Sequence, residues 1–179
     1  INLGDKTSYI IKDQLAILDI LASNLWERPI YWAVTCREDR LVGFENYLQL
    51  EGLGLRVVPV QSKGQGEYGI IGSGRVNADV AYDNIVNKWA WGNFDKETLF
   101  VDRSYLPSLQ TMKVAMLRVS RQLVVEGKKD KATSLADKFF EAFPEKNFQY
   151  DQFSAYMADV YARSGATDKA TEKIRAIAH

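Results

Sequence analysis

The first apolar stripe lies in residues 10–25. Ile11, Leu15, Leu18, Ala22 and Leu25 recur at intervals of three and four, the spacing of one face of a helix. Ile17 and Leu21 widen the stripe, so the helix is predicted to be well buried. It is predicted to end at Trp26-Glu27-Arg28-Pro29, because a residue before proline is pushed out of the α region. Ile30 to Thr35 is aromatic, β-branched and almost continuously apolar, as expected of a strand buried on both faces in a parallel sheet. Residues 44–51 read as a short helix broken by Gly52 and Gly54. Leu55 to Val60 reads as a second strand, with Pro59 at its end or on an edge. Strand, helix, strand implies a right-handed crossover.

Residues 62–75, rich in Gly and Ser, read as a loop. Asn77 is placed to cap a helix running to about Trp91, with Tyr82, Ile85, Val86 and Trp89 inward and Gly92-Asn93 as the stop. Leu99-Phe100-Val101 suggests a third short strand. From Pro107 the period is helical throughout: helices are predicted over 107–126, 130–143, 150–164 and 168–178. Within them Gly127-x-x-Asp130-Lys131-Ala132-Thr133 recurs, 38 residues on, as Gly165-x-x-Asp168-Lys169-Ala170-Thr171. In both copies Gly suits a left-handed helix end, Asp suits the opening of the next helix, and Ala allows close approach. Two helices per repeat at this length resemble a tetratricopeptide array, whose period is about 34. The predicted architecture is a small, mostly parallel α/β domain over 1–103, followed by tetratricopeptide-like helical hairpins over 104–179.

Composition removes several chemistries. Lys+Arg and Asp+Glu both number 23, so no net field steers the chain onto nucleic acid or an anionic membrane. Lys128, Lys129 and Lys131, broken by Asp130, read as the wet end of a hairpin. Cys36 is the only cysteine and His179 the only histidine, at the chain end. Cysteine zinc sites and His-based triads or metal sites are therefore not expected. No apolar run approaches the roughly 20 residues of a membrane span, and no signal peptide is seen. A chain beginning at Ile1 suggests a fragment or processed product.

Gly64-Gln65-Gly66-Glu67-Tyr68-Gly69 matches GxGxxG, but Gly72 and Gly74 follow where a phosphate-binding helix should open. A loop is the better reading. Asp79, Asp83 and Asp102 are potential paired carboxylates, and Asp79 and Asp83 read as a solvated helix face. Trp26, Trp32, Trp89, Trp91 and nearby tyrosines serve a core as readily as a sugar or peptide cleft. The candidate ligand-binding residues are Arg28, Arg56, Arg75, Tyr82, Asn84 and Trp91; no catalytic residue, metal or cofactor is assigned.

The stretches Lys12 to Ile20, Asn24 to Tyr31, Tyr47 to Leu53 and Arg56 to Val60, with Arg75-Val76-Asn77, Tyr82-Asp83-Asn84 and Trp91-Gly92-Asn93, carry a family resemblance. Together with the helical tail, they resemble the soluble C-terminal region of bacterial multi-pass membrane proteins described as protein O-mannosyltransferase-like. The resemblance implies an extracytoplasmic, periplasmic accessory piece tethered to a membrane glycosyltransferase-like region that would hold the chemistry. Its partners would be that membrane region, another protein met by the hairpins, or a glycan. The Gly-rich insert 62–74 does not match that family. The alternative is a small sugar-binding or carboxylate-dependent enzyme domain with its cleft in the α/β half.

Overall fold

The computed structural model describes residues 10–24, 27–36, 40–62 and 71–178. They fall into two compact units, Ile1–Arg75 and Val76–His179. Segment 76–103, grouped by sequence with the α/β half, clusters with the helical unit.

In the first unit, helix α1 (Lys12–Asn24) precedes strands β1 (Tyr31–Ala33), β2 (Leu48–Leu50) and β3 (Gly54–Val57). A two-residue strand, β4 (Arg75–Val76), lies at the unit boundary and completes a sheet of order β1-β3-β2-β4. The sheet is mixed, not mostly parallel: β1 and β2 both pair antiparallel with β3. The predicted crossover is absent because Leu48–Leu50 is a strand preceded by a single 3-10 turn, Glu45–Tyr47, and not part of a helix. Glu51 and Gly54 then bond across a tight turn in which Gly52 takes φ 112. Gly52 therefore turns a hairpin instead of ending a helix.

Two burial expectations are also corrected. In β1 only Trp32 is buried, so one face of the strand is wet. In α1 only Leu21 is buried, while Leu15 is 60% and Ile20 53% exposed. Apolar residues surround most of α1, so their spacing did not select a single inward face.

The second unit begins with α2 (Ala78–Asp83), which passes into a wider π turn at Asn84–Lys88. The Asn77 side chain accepts the Val80 N–H, the predicted cap. The helix stops at Lys88, short of Trp91, because Trp89 is already extended. Leu99–Val101 forms no strand. The Asn147 side chain ties this stretch down instead, accepting from Leu99 N and donating to the Phe94 and Glu97 carbonyls at 2.7 Å each.

Four helices follow: α3 (Leu106–Val125), α4 (Lys129–Ala142), α5 (Gln152–Ser164) and α6 (Thr167–Ile177). Each lies within two residues of its predicted bounds. They form two helical hairpins whose turns match bond for bond. Lys128 N bonds Leu123 O and Gly127 N bonds Val124 O; 38 residues on, Ala166 N bonds Tyr161 O and Gly165 N bonds Ala162 O. Gly127 and Gly165 take φ 75 and 95, the left-handed helix end that the repeat predicted. Leu117, Leu123, Leu135, Phe139, Met157 and Val160 are fully buried between the helices.

Two glycines give contrasting tests. A Cβ on Gly127 meets nothing within 4 Å, so Gly127→Ala pays only the left-handed backbone term of about 1–2 kcal/mol. A Cβ on Gly74 runs into the Leu48 carbonyl, and φ there is +71. Gly74→Ala should therefore cost more, by displacing backbone in the sheet. Urea unfolding of both variants tests the order.

Candidate functional site

In the first unit, three strands bring polar side chains into one row. Tyr31 on β1 and Gln49 on β2 both stand opposite Arg56 on β3. Glu51 lies two residues past Gln49, on the same side of the pleat. Its carboxylate is buried, at 6% exposure for the residue. The Tyr31 hydroxyl donates to its Oε2 at 2.7 Å, and Gln49 Nε2 donates to its Oε1 at 2.6 Å. Arg56 lies 3.7 Å from Oε1. Burial, then the bond to Glu51, pushes the Tyr31 phenol above its ordinary value, and the Arg56 charge only partly opposes this. Both Glu51 oxygens already accept hydrogen bonds, so the group holds the row together and is poorly placed as a free base. The half-exposed edges of Tyr31 and Arg56 are what a ligand would meet.

In the second unit, an open groove of about 320 Å³ runs between α4, the end of α5 and α6. Its floor is the Phe140–Tyr161 pair, with rings parallel to within 14° and 5.7 Å apart. Lys173 and Lys169 lie over those rings at 5.2 and 5.7 Å. The Tyr161 hydroxyl donates to Asp137 Oδ1 at 2.8 Å, and Lys169 donates to both Asp137 oxygens. Burial pushes the Tyr161 phenol far up, and the bond to Asp137 adds to this, so it stays protonated and acts only as a donor. The rim carries Glu141 and Glu172.

The two repeats use equivalent lysines alike. Lys131 meets Asp79 at 2.7 Å over the Tyr82 ring, and Lys169 meets Asp137 at 2.6 Å over the Tyr161 ring. Lys128 also reaches Asp79, at 2.5 Å. The bonds from Lys128 and Lys131 hold the Asp79 carboxyl down to about 2. This carboxyl is depressed on folding, so the clamp is complete above the ordinary value of 3.8 and is lost as pH falls through about 2. A carboxyl-detected NMR titration should find the Asp79 midpoint near 2; a midpoint near 3.8 would show that the lysines do not hold it.

The candidates from sequence divide between the two units, with Arg28, Arg56 and Arg75 in the first and Tyr82, Asn84 and Trp91 in the second. Arg28 is exposed in the turn after α1, and Arg75 is exposed on β4. Tyr82 donates to Ser134 Oγ at 3.1 Å. Asn84 accepts from Lys88. Trp91 packs edge-on against Phe143 at 6.0 Å. Only Arg56 lies in the Glu51 row. Asp83 is lowered by bonds from Lys88 and Asn87, and Asp102 by its bond from Ser104, whose turn it caps. The GxGxxG motif at Gly64–Gly69, Trp26 and His179 lie outside the described residues. Tyr31 is among the aromatic residues read from the sequence as core or cleft; Gln49, Glu51, Asp137 and Tyr161 were not anticipated. The Lys131/Lys169 equivalence was the one signal in the sequence that pointed to the last two.

Among the described residues, no helix is long and apolar enough to cross a membrane, and no group of three or more His, Cys, Asp or Glu could hold a metal ion. Residues 1–80 match the family described as TMEM260-associated domain 2, a match that ends just beyond the first compact unit. No curated protein and no solved structure matches the chain.

Proposed function

We propose that this chain is a non-catalytic accessory and interaction domain of a TMEM260-like membrane protein, with a tetratricopeptide-like helical array that engages protein. On this reading it lies on the extracytoplasmic, periplasmic face, beside a glycosyltransferase-like membrane region. The carrying observation is the pair of hairpins with identical turn bonding 38 residues apart, since stacked helix pairs build extended binding surfaces. Support for the membrane context comes from the match over residues 1–80. The candidate acids Asp79, Asp83 and Asp102 are exposed and held below ordinary values, which unfits them as proton donors near neutral pH.

The Glu51 row favours a second reading, a glycan-binding face in the first unit with Tyr31 and Arg56 as contacts. The test assays the chain on simple and lipid-linked glycosides, beside Glu51→Gln, Asp79→Asn, Asp83→Asn and Asp102→Asn. The expected result is no turnover by any of them. Turnover by the parent chain that one substitution abolishes would identify an enzyme. Glycan-induced NMR shifts confined to Tyr31 and Arg56 would support the second reading.

A further inference from the structure

Residues 89–102 form neither helix nor strand, and nothing within 89–99 is buried: Trp89, Trp91 and Phe94 are half-buried and the rest are exposed. The stretch still holds one course over the turn between α4 and α5. That turn is fixed from within, since Asn147 N and Phe148 N both bond the Pro144 carbonyl. From it Asn147 reads three backbone groups, accepting from Leu99 N and donating to the Phe94 and Glu97 carbonyls. Lys146 donates to a fourth, the Asp95 carbonyl, at 2.7 Å. Two aromatic side chains three residues apart complete the contact. Phe94 meets Phe148 edge-on at 4.9 Å, and Trp91 meets Phe143 edge-on at 6.0 Å. Phe143 and Phe148 are themselves buried, so the floor belongs to the helical unit and the anchors come from the segment.

Main-chain groups bonded by a partner's polar groups, with separate side chains set against an apolar floor, are how an extended peptide is recognised by another protein. Among the described residues, no backbone-to-backbone bond joins 90–99 to the rest of the unit, as it would if the segment were a fixed element. The Trp91 indole N–H is buried with no hydrogen-bond partner among the described residues, and an unpaired donor weakens the docking. We infer that the α4–α5 turn is a binding corner for an extended peptide with two aromatic residues three apart, and that residues 89–99 occupy it in cis as a displaceable strap. Tethering holds the strap at an effective concentration on the order of millimolar, which excludes weaker ligands. The inference rests on reading the helical unit as an interaction module and adds one recognition corner with its built-in competitor.

The probe is a fluorescent peptide of residues 87–101, titrated into the full chain, into Phe94→Ala, and into Phe94→Ala combined with Asn147→Ala. Phe94→Ala loosens the strap and leaves Phe143, Asn147 and Phe148 in place. That variant should bind the peptide at least tenfold tighter than the parent chain does. Asn147→Ala should remove the gain, and a peptide carrying Trp91→Ala and Phe94→Ala should not bind. Equal affinities, no binding to Phe94→Ala, or a gain that survives Asn147→Ala would overturn the inference, and the interaction module would stand on its other surfaces. Amide exchange on the parent chain decides the matter if Phe94→Ala does not fold. The Leu99 N–H should open at least a hundredfold more often than that of Leu117, which is fully buried on α3. Opening of both only through global unfolding would make the segment a fixed part of the fold and overturn the inference.

Discussion

Phe139→Ala should lower the stability of the helical unit by about 3–5 kcal/mol, the range for deleting a buried aromatic side chain. Phe139 is fully buried, and its ring meets Phe140 at 5.3 Å and Phe143 at 5.2 Å. Those rings reach in turn to Tyr161, Trp91 and Phe148, so one cavity would loosen α4 against its neighbours and the 89–99 segment together. Ring stacks this interlinked collapse poorly into a void, which places the cost towards the upper end. Urea unfolding followed by far-ultraviolet dichroism measures it. A loss below 1 kcal/mol would mean that the cluster is not the centre of the unit. The exposed Ile174→Ala, expected within about 0.5 kcal/mol of the parent chain, is the control.

The second large effect concerns Lys113, a charged residue only 6% exposed. Its ammonium bonds Asp151 at 2.8 Å and lies over the Phe143 and Phe148 rings at 5.1 and 5.9 Å. Asp151 also caps α5, accepting from Phe153 N and Ser154 N. Asp151→Ala removes the cap, worth about 1 kcal/mol, and leaves a buried cation unpaired, so the expected loss is about 3 kcal/mol in all. Lys113→Met should cost under about 1 kcal/mol, because it removes the buried charge and leaves a half-exposed carboxylate still capping its helix. Adding Lys113→Met to Asp151→Asn should recover most of what Asp151→Asn alone loses. A cycle with no coupling would show that the pair is incidental.

The helical unit was legible because its signals are local. Gly127 and Gly165 need a left-handed conformation that few other residues adopt, and the apolar residues of α4 keep to one stripe. The sheet was not legible in the same way. Leu48-Gln49-Leu50-Glu51-Gly52 fits a helix end and a hairpin equally well, and cross-strand pairing decided between them. Hence the Glu51 row was missed: Tyr31, Gln49, Glu51 and Arg56 become neighbours only through antiparallel register, which spacing along the chain does not reveal. Leu99–Val101 has strand propensity, but the backbone found Asn147 instead of another strand. The Asp137–Tyr161–Lys169 cluster joins three helices and was visible only as half of a repeated Gly-to-Ala motif.

Site-specific photo-crosslinking tests the interaction-domain account most directly. A photoreactive residue replaces Ile174 on α6 or Tyr31 on the sheet face, within the whole natural polypeptide in its own cells, and the adducts are mapped by mass spectrometry. The account predicts a polypeptide adduct at position 174. A glycan adduct at position 31 with none at position 174 would contradict it and make the first unit a sugar-binding domain.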